Sequence, residues 1–191
     1  MKKLNAKAVL IPTVALLVIC LVATTLLAVT NSITQEKIAL NAVETENASR
    51  ALVLPEGATY GEVIRTENGI AYCVGYDAGG NEAGYVFTGG AKGYGGTVGV
   101  MVGFDSEGTI TGLEILSHSE TPGLGANATK EDFKNRFIGK TGTLTVDKTS
   151  NDGQNIQAIT AATITSKAVV EAVNNITSVY EQVKAGGGTN G

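Results

Sequence analysis

The chain has 191 residues, 14 of them basic and 18 acidic, for a formal charge of −4. That length allows a membrane segment plus one modest domain with a real core. Lys2, Lys3 and Lys7 precede the first long apolar run and every acidic residue follows it. Beyond Thr30 the balance is therefore 11 basic against 18 acidic residues, or −7. So acidic a domain argues against nucleic acid as a partner, because a phosphate backbone needs a basic surface. His118 is the only histidine, which excludes histidine-rich metal sites and catalysis by a histidine pair.

From Ala8 to Thr30 no residue is charged and Leu, Val, Ala and Ile dominate. This matches the roughly 20 residues that cross a bilayer as a helix. Pro12 falls in the first turns, where a missing N–H matters least. Three lysines before the span place residues 1–7 in the cytoplasm and the domain outside. A cleaved signal peptide is the rival, since Ala28-Val29-Thr30 faintly resembles a cleavage site. The apolar run far exceeds the roughly 7–15 residues of such a segment, so it reads as a retained anchor. A lipoprotein fits less well, because bulky Ile19 precedes Cys20 and the run continues past it. Residues 31–55 read as a helical stalk that breaks at Pro55. Residues 56–185 read as one domain without internal repeats, and the glycine-rich 186–191 as a disordered tail.

Within the domain, Ile70–Tyr76 and Gly84–Thr88 have the pattern of short strands around a turn at Asp77-Ala78-Gly79-Gly80-Asn81. Cys73 in the first of these reads as a buried, inert thiol. In TVGVMVGF, Val98, Val100, Val102 and Phe104 alternate with smaller residues, the mark of a strand with one buried face. Asp105-Ser106-Glu107-Gly108 supplies a turn, and Thr109–Leu116 returns. Thr129-Lys130-Glu131-Asp132 has the form of a capping box opening a helix through Phe137. Leu144–Asp147 suggests another strand. Val169, Val173, Ile176, Tyr180 and Val183 repeat at intervals of four and three, one face of a helix packed on a sheet.

Three segments bear on chemistry. SHSETPGLG, Ser117–Gly125, follows the hairpin and clusters His118, Glu120 and Thr121 beside Pro122, Gly123 and Gly125, where a bare backbone can approach a ligand. AKGYGGTVG, Ala91–Gly99, sets Lys92 and Tyr94 among glycines. It lacks the Lys-Ser/Thr pair of a phosphate-binding P-loop and opens a strand, not a helix, so a nucleotidase reading fails. AITAATITSKAVV, Ala158–Val170, gathers the hydroxyls of Thr160, Thr163, Thr165 and Ser166 where the last helix begins. Hydroxyls and unpaired N–H groups at a helix N-terminus form a seat for a phosphate. A bland helix cap with spare threonines is the alternative.

KGYGG, then GFD with its glycine turn, then HSETPGLG, then a threonine-rich motif before a helix resembles the FMN-binding domain of the G subunit of Rnf-type ion-translocating electron transport complexes. The C subunit of sodium-translocating quinone reductases shares this domain. The resemblance covers essentially the whole chain. It implies an α+β fold, a mainly antiparallel twisted sheet with packed helices on a single N-terminal transmembrane helix. It also implies FMN held by a phosphoester to the last threonine of a Ser/Thr-Gly-Ala-Thr motif. Here that motif is Thr160-Ala161-Ala162-Thr163, so Thr163 is the expected attachment site. Ala161 stands where glycine is usual and Gln157 where aspartate is usual. The alanine matters if that backbone needs a positive φ.

If FMN is held here, Glu120, Thr121, Gly123 and Leu124 are expected to line the ring or ribityl chain. Thr160, Ala162, Ile164 and Thr165 would shape the phosphate end; Lys92 either offsets phosphate charge or is a solvated surface lysine, and His118 either hydrogen-bonds in the site or, the favoured reading, holds the loop. By the same resemblance, the expected partners are the other subunits of a membrane complex coupling ferredoxin and NAD redox chemistry to Na⁺ or H⁺ movement, and a flavin transferase during maturation. A membrane-tethered module that binds a phosphate-bearing ligand without redox turnover, and the quinone-reductase subunit, are the competing readings.

Overall fold

The computed structural model describes residues 6–186. Apart from Ala6, Lys7 and Gly186, the expected cytoplasmic and glycine-rich tails lie outside the described residues. The chain divides into two compact units, Met1–Glu46 and Asn47–Gly191. A first helix, α1 (Ala6–Val53), makes up the described part of the first unit and continues into the second.

Within α1, Leu10–Asn31 has a mean hydropathy of 2.6 and is, among the described residues, the one stretch long and apolar enough to cross a membrane. Its side chains are exposed, which suits lipid contact. Three threonine hydroxyls in this stretch are satisfied by the helix itself: Thr24 donates to the Cys20 carbonyl at 2.8 Å, Thr25 to Leu21 at 2.7 Å and Thr30 to Leu26 at 2.8 Å. Hydrocarbon offers no other partner, so such internal bonds are what a lipid-facing threonine needs.

The second unit is an antiparallel sheet with a helix across it. Short strands β1 (Thr59–Tyr60) and β2 (Ile64–Arg65) both pair with β3 (Ala71–Tyr76). The sheet continues through β4 (Glu82–Lys92), β5 (Thr97–Asp105) and β6 (Ile110–Ser117). β4 and β5 form one long hairpin, from Gly84 opposite Asp105 to Lys92 opposite Thr97. Both expected turns are present. Asp77 Oδ1 accepts from the N–H groups of Gly79 and Asn81, each at 2.8 Å. Asp105 Oδ1 accepts from Glu107 and Thr109, and Gly108 takes a φ of +87° that suits glycine.

β4 runs past the expected end at Thr88 through Gly89 and Gly90. A Cβ at Gly89 would sit 3.1 Å from Ile176 Cγ1, so the glycine lets the last helix press close against the strand. That helix, α3 (Thr163–Ala185), buries Val169, Val173, Ile176 and Tyr180 against β4 and β5, as its spacing implies. The Tyr180 ring stacks on Phe104 at 4.8 Å and meets Phe87 edge-on at 6.1 Å.

β5 departs from the one-buried-face reading. Its opposite face is covered too: Met101 is fully buried with Cys73 and Val86 beneath Val53 and Leu54, which arrive from the end of α1. Glycines at 103 and 112 make room, since a Cβ at Gly112 would lie 2.6 Å from Val53 Cα. The Thr111 hydroxyl donates to the Val53 carbonyl at 2.5 Å. The end of the expected stalk is thus a lid on the sheet.

The expected capping box at Thr129 does not form. Thr129 ends a 3-10 helix (Gly125–Thr129), and its hydroxyl donates back to the Ala126 carbonyl at 2.9 Å. The following α2 (Glu131–Lys134) is a single turn with no side-chain cap, held instead by Lys134 reaching Glu114 at 2.5 Å and Glu131 at 2.7 Å. The strand at Leu144–Asp147 is β7 (Thr145–Asp147), paired in parallel with an unforeseen β8 (Asn155–Gln157). Asn174 of α3 fixes the chain there, accepting from the Leu144 N–H at 2.8 Å and donating to its carbonyl at 2.9 Å.

Candidate functional site

α3 opens without a conventional cap. Its N-cap residue is Ala162, and no side chain caps the first N–H groups. Ser166 ties the turn down from within: its hydroxyl accepts from the Ile159 N–H at 2.9 Å and donates to the Ala162 carbonyl at 3.0 Å. The preceding Ala161 has a φ of +60°, the one positive-φ residue other than glycine among the described residues. The glycine-demanding backbone considered above is therefore real. An alanine in this region costs about 1–2 kcal/mol. Ala161→Gly is expected to raise stability by about 1 kcal/mol, less what glycine adds to unfolded-chain freedom. Thermal denaturation should show a rise in Tm of about 2–4 °C; a fall would contradict the strain.

The loop after β6 folds onto this turn. The exposed His118 holds it, Nδ1 accepting from the Glu120 N–H at 3.3 Å. The Thr121 carbonyl accepts from Leu124 at 3.1 Å and Ala126 at 3.2 Å, while Gly123 turns the chain at φ +79°. Glu120 points inward and is only 6% exposed. Its Oε1 accepts from the Gly95 N–H at 2.9 Å and its Oε2 from the Thr165 hydroxyl at 2.5 Å. Burial pushes its pKa up. The hydrogen bonds from Thr165, Gly95 and Tyr94, with a smaller electrostatic contribution from His118, outweigh that and hold the carboxyl below its ordinary 4.5.

A carboxylate with a depressed folded-state pKa stabilises the fold above its unfolded value, and that contribution is lost as pH falls through the folded value. Stability should therefore decline on acidification below about pH 4.5, and less steeply in Glu120→Gln. Denaturation midpoints across pH 3–6 check this, and parallel curves for the two proteins would contradict it.

Between loop and turn lies a cleft of about 480 Å³, lined by Tyr94, Glu120, Thr121, Leu124, Gly125 and Ala161 through Thr165. It brings together seven of the residues singled out from sequence: Glu120, Thr121, Leu124, Ala162, Thr163, Ile164 and Thr165. Thr163 is half-buried at the first helical position and faces this space. Gly123 and Thr160 instead line an adjoining hollow of about 520 Å³ with Lys130 and Arg136, across the turn from the cleft. Leu124 and Ala161 border both.

Lys92 is exposed at the end of β4 and lines neither space. The expected cluster of four free hydroxyls is not there, because Thr165 is turned into Glu120 and Ser166 into the backbone. That leaves the helix N–H groups and Thr163 to meet an anion. Tyr94, Gly125 and Ala161 also line the cleft; they lie in the segments singled out from sequence but had been given no role at the cofactor. Tyr94, 74% exposed and flanked by glycines at 93 and 95, was the available signal.

Residues 93–178 match a family model described as an FMN-binding domain. The G subunit of the proton-translocating ferredoxin:NAD⁺ oxidoreductase complex of Clostridium ljungdahlii is 34% identical over 168 residues, covering 85% of this chain and 89% of that protein. Its counterpart in the Na⁺-translocating ferredoxin:NAD⁺ oxidoreductase complex of Acetobacterium woodii is 38% identical over 186 residues, covering 88% and 89%. The crystal structure of Shewanella oneidensis NqrC superposes with a TM-score of 0.53 at 18% identity, over 69% of this chain and 73% of that one, and so shares the fold. With relatives this similar over nearly their whole length, the chain belongs to the family of G subunits of Rnf-type ion-translocating oxidoreductase complexes.

Proposed function

We propose that this chain is the electron-transfer subunit of a membrane complex that couples ferredoxin and NAD redox chemistry to Na⁺ or H⁺ movement. In this reading it carries FMN as a phosphoester on Thr163. The observation that carries it is the position of Thr163, whose residue opens α3 inside the cleft, beside N–H groups that no side chain caps. A phosphodiester there meets the positive end of the helix dipole and donors lacking a partner. The fit extends beyond phosphate. The cleft lies within the roughly 300–1,000 Å³ of small-molecule sites, and Leu124, Ile164 and Tyr94 give it apolar and aromatic borders.

FMN bound there supplies the capacity to take and release one or two electrons. The chain's own residues position it: Thr163 anchors the phosphate, Ala162 and Ile164 shape that end, and Thr121, Gly123 and Leu124 flank the remainder. Gly123 reaches the ligand only if it extends over Leu124 toward the adjoining hollow. Tethering keeps a cofactor outside the membrane from being lost on each dissociation, because rebinding becomes intramolecular. In this reading the N-terminus lies in the cytoplasm and the domain outside, as the lysines ahead of the span support. The partners are the other subunits of the complex and, during maturation, a flavin transferase.

The deciding experiment is mass spectrometry of protein made alongside a flavin transferase. The peptide containing Thr163 should carry one FMN less one water, and the denatured band should fluoresce. An unmodified peptide and a dark band would leave only a membrane-tethered binding module.

A further inference from the structure

We infer that Glu120 is the fixed negative charge that holds down the reduction potential of a flavin in this cleft, an assignment that rests on the proposal that the cleft carries FMN. Glu120 borders the cleft yet is nearly inaccessible to water, so its charge is poorly screened there. It is also locked in place from two sides. The Gly95 N–H holds one carboxylate oxygen and the Thr165 hydroxyl the other, from the β4–β5 turn and from α3 respectively. Missing side chains complete the socket: a Cβ at Gly93 would come 2.5 Å from Oε1, and one at Gly125 2.5 Å from Oε2.

These N–H and hydroxyl donors are neutral. Lys134 pairs with Glu114 and Glu131, and Lys184 with Glu82, and none of these pairs reaches Glu120. Its charge is dispersed by hydrogen bonds and joined in none of these ion pairs, the electrostatic pull of His118 being a smaller influence than the hydrogen bonds. The depressed pKa keeps it ionised at neutral pH. A carboxylate so placed resists each electron brought into the cleft, because negative charge is moved toward negative charge where little water intervenes. Glu120 makes and breaks no bond and holds no electron. An electron arriving from a reduced centre of a partner subunit leaves to an oxidised one, held less tightly in between.

The test compares full-length wild type, Glu120→Gln and Thr165→Val, each made with a flavin transferase and purified in detergent. Loading is read by fluorescence of the denatured band, then the potential by spectroelectrochemical titration at pH 7. Glutamine keeps the shape and can still accept from the Gly95 N–H, but removes the charge. Its potential should rise by on the order of tenfold in the one-electron equilibrium, about 59 mV. Valine at 165 keeps the charge and removes a donor that disperses it, so that potential should fall. A loosened, wetter cleft would shift both variants the same way, and opposite signs separate charge from packing. A loaded Glu120→Gln protein with the wild-type potential, or shifts of one sign in both variants, overturns the assignment. Should Glu120→Gln not load, the sign of the Thr165→Val shift decides. Wild type without flavin overturns the FMN reading and this assignment with it.

Discussion

Thr163→Val is expected to yield a protein that folds like the wild type and carries no covalent flavin. None of the described hydrogen bonds that shape the turn uses the Thr163 hydroxyl. Ser166 secures the helix start and Thr165 binds Glu120. Valine has nearly the same volume and branching, so stability should change by less than about 0.5 kcal/mol. Loading, by contrast, should drop from complete to nil, since an ester cannot form without its oxygen. Thr160→Val is the matching control. Thr160 faces the adjoining hollow and is exposed, so that variant should keep its fluorescent band. A fluorescent Thr163→Val band, or a dark Thr160→Val band, would put the attachment site elsewhere.

A soluble domain begun at Glu56 is expected to be about 3–6 kcal/mol less stable than one begun at Asn47. The estimate follows from two side chains, Val53 and Leu54, each essentially fully buried and each worth about 1.5–3 kcal/mol. Without them the face formed by Cys73, Val86 and Met101 is open to water, and the Thr111 hydroxyl loses its acceptor. Urea denaturation of the two fragments measures the difference. Equal midpoints would mean that the end of α1 merely rests on the sheet. The same exposed face should make the shorter fragment prone to association.

What could be read from sequence was what local pattern controls. The spacing of Val169, Val173, Ile176 and Tyr180 located α3 and its packing face, and Asp77 and Asp105 marked turns that both form. The second buried face of the sheet was hidden because its cover comes from Val53 and Leu54, distant in sequence. On the strand itself only Met101 hinted at it. β8 holds a single buried apolar residue, Ile156, too little for a periodic signal. The capping motif at Thr129 failed because a 3-10 helix had already claimed that residue.

In the site, the loop and the threonine-rich turn were legible as motifs, and their meeting follows from the sheet. The socket of Glu120 was not, since it depends on Gly95 and Thr165, which lie 25 and 45 residues away. Lys92 was expected near an anion because of its sequence neighbours, but the hairpin register leaves it at the rim of the strand, away from both hollows.

α3 presents Thr163 on its opening turn and, only a few residues later, drives Val169, Val173 and Ile176 into the sheet. A cofactor attached at 163, as proposed, would thus be mounted on a stiff beam whose far portion is clamped, unlike a group hung from a surface loop. For a carrier that must hand charge across a gap, such mounting keeps the gap's width constant from one turnover to the next. Softening the clamp, even well away from Thr163, would blur that spacing while leaving every group around the cofactor chemically intact.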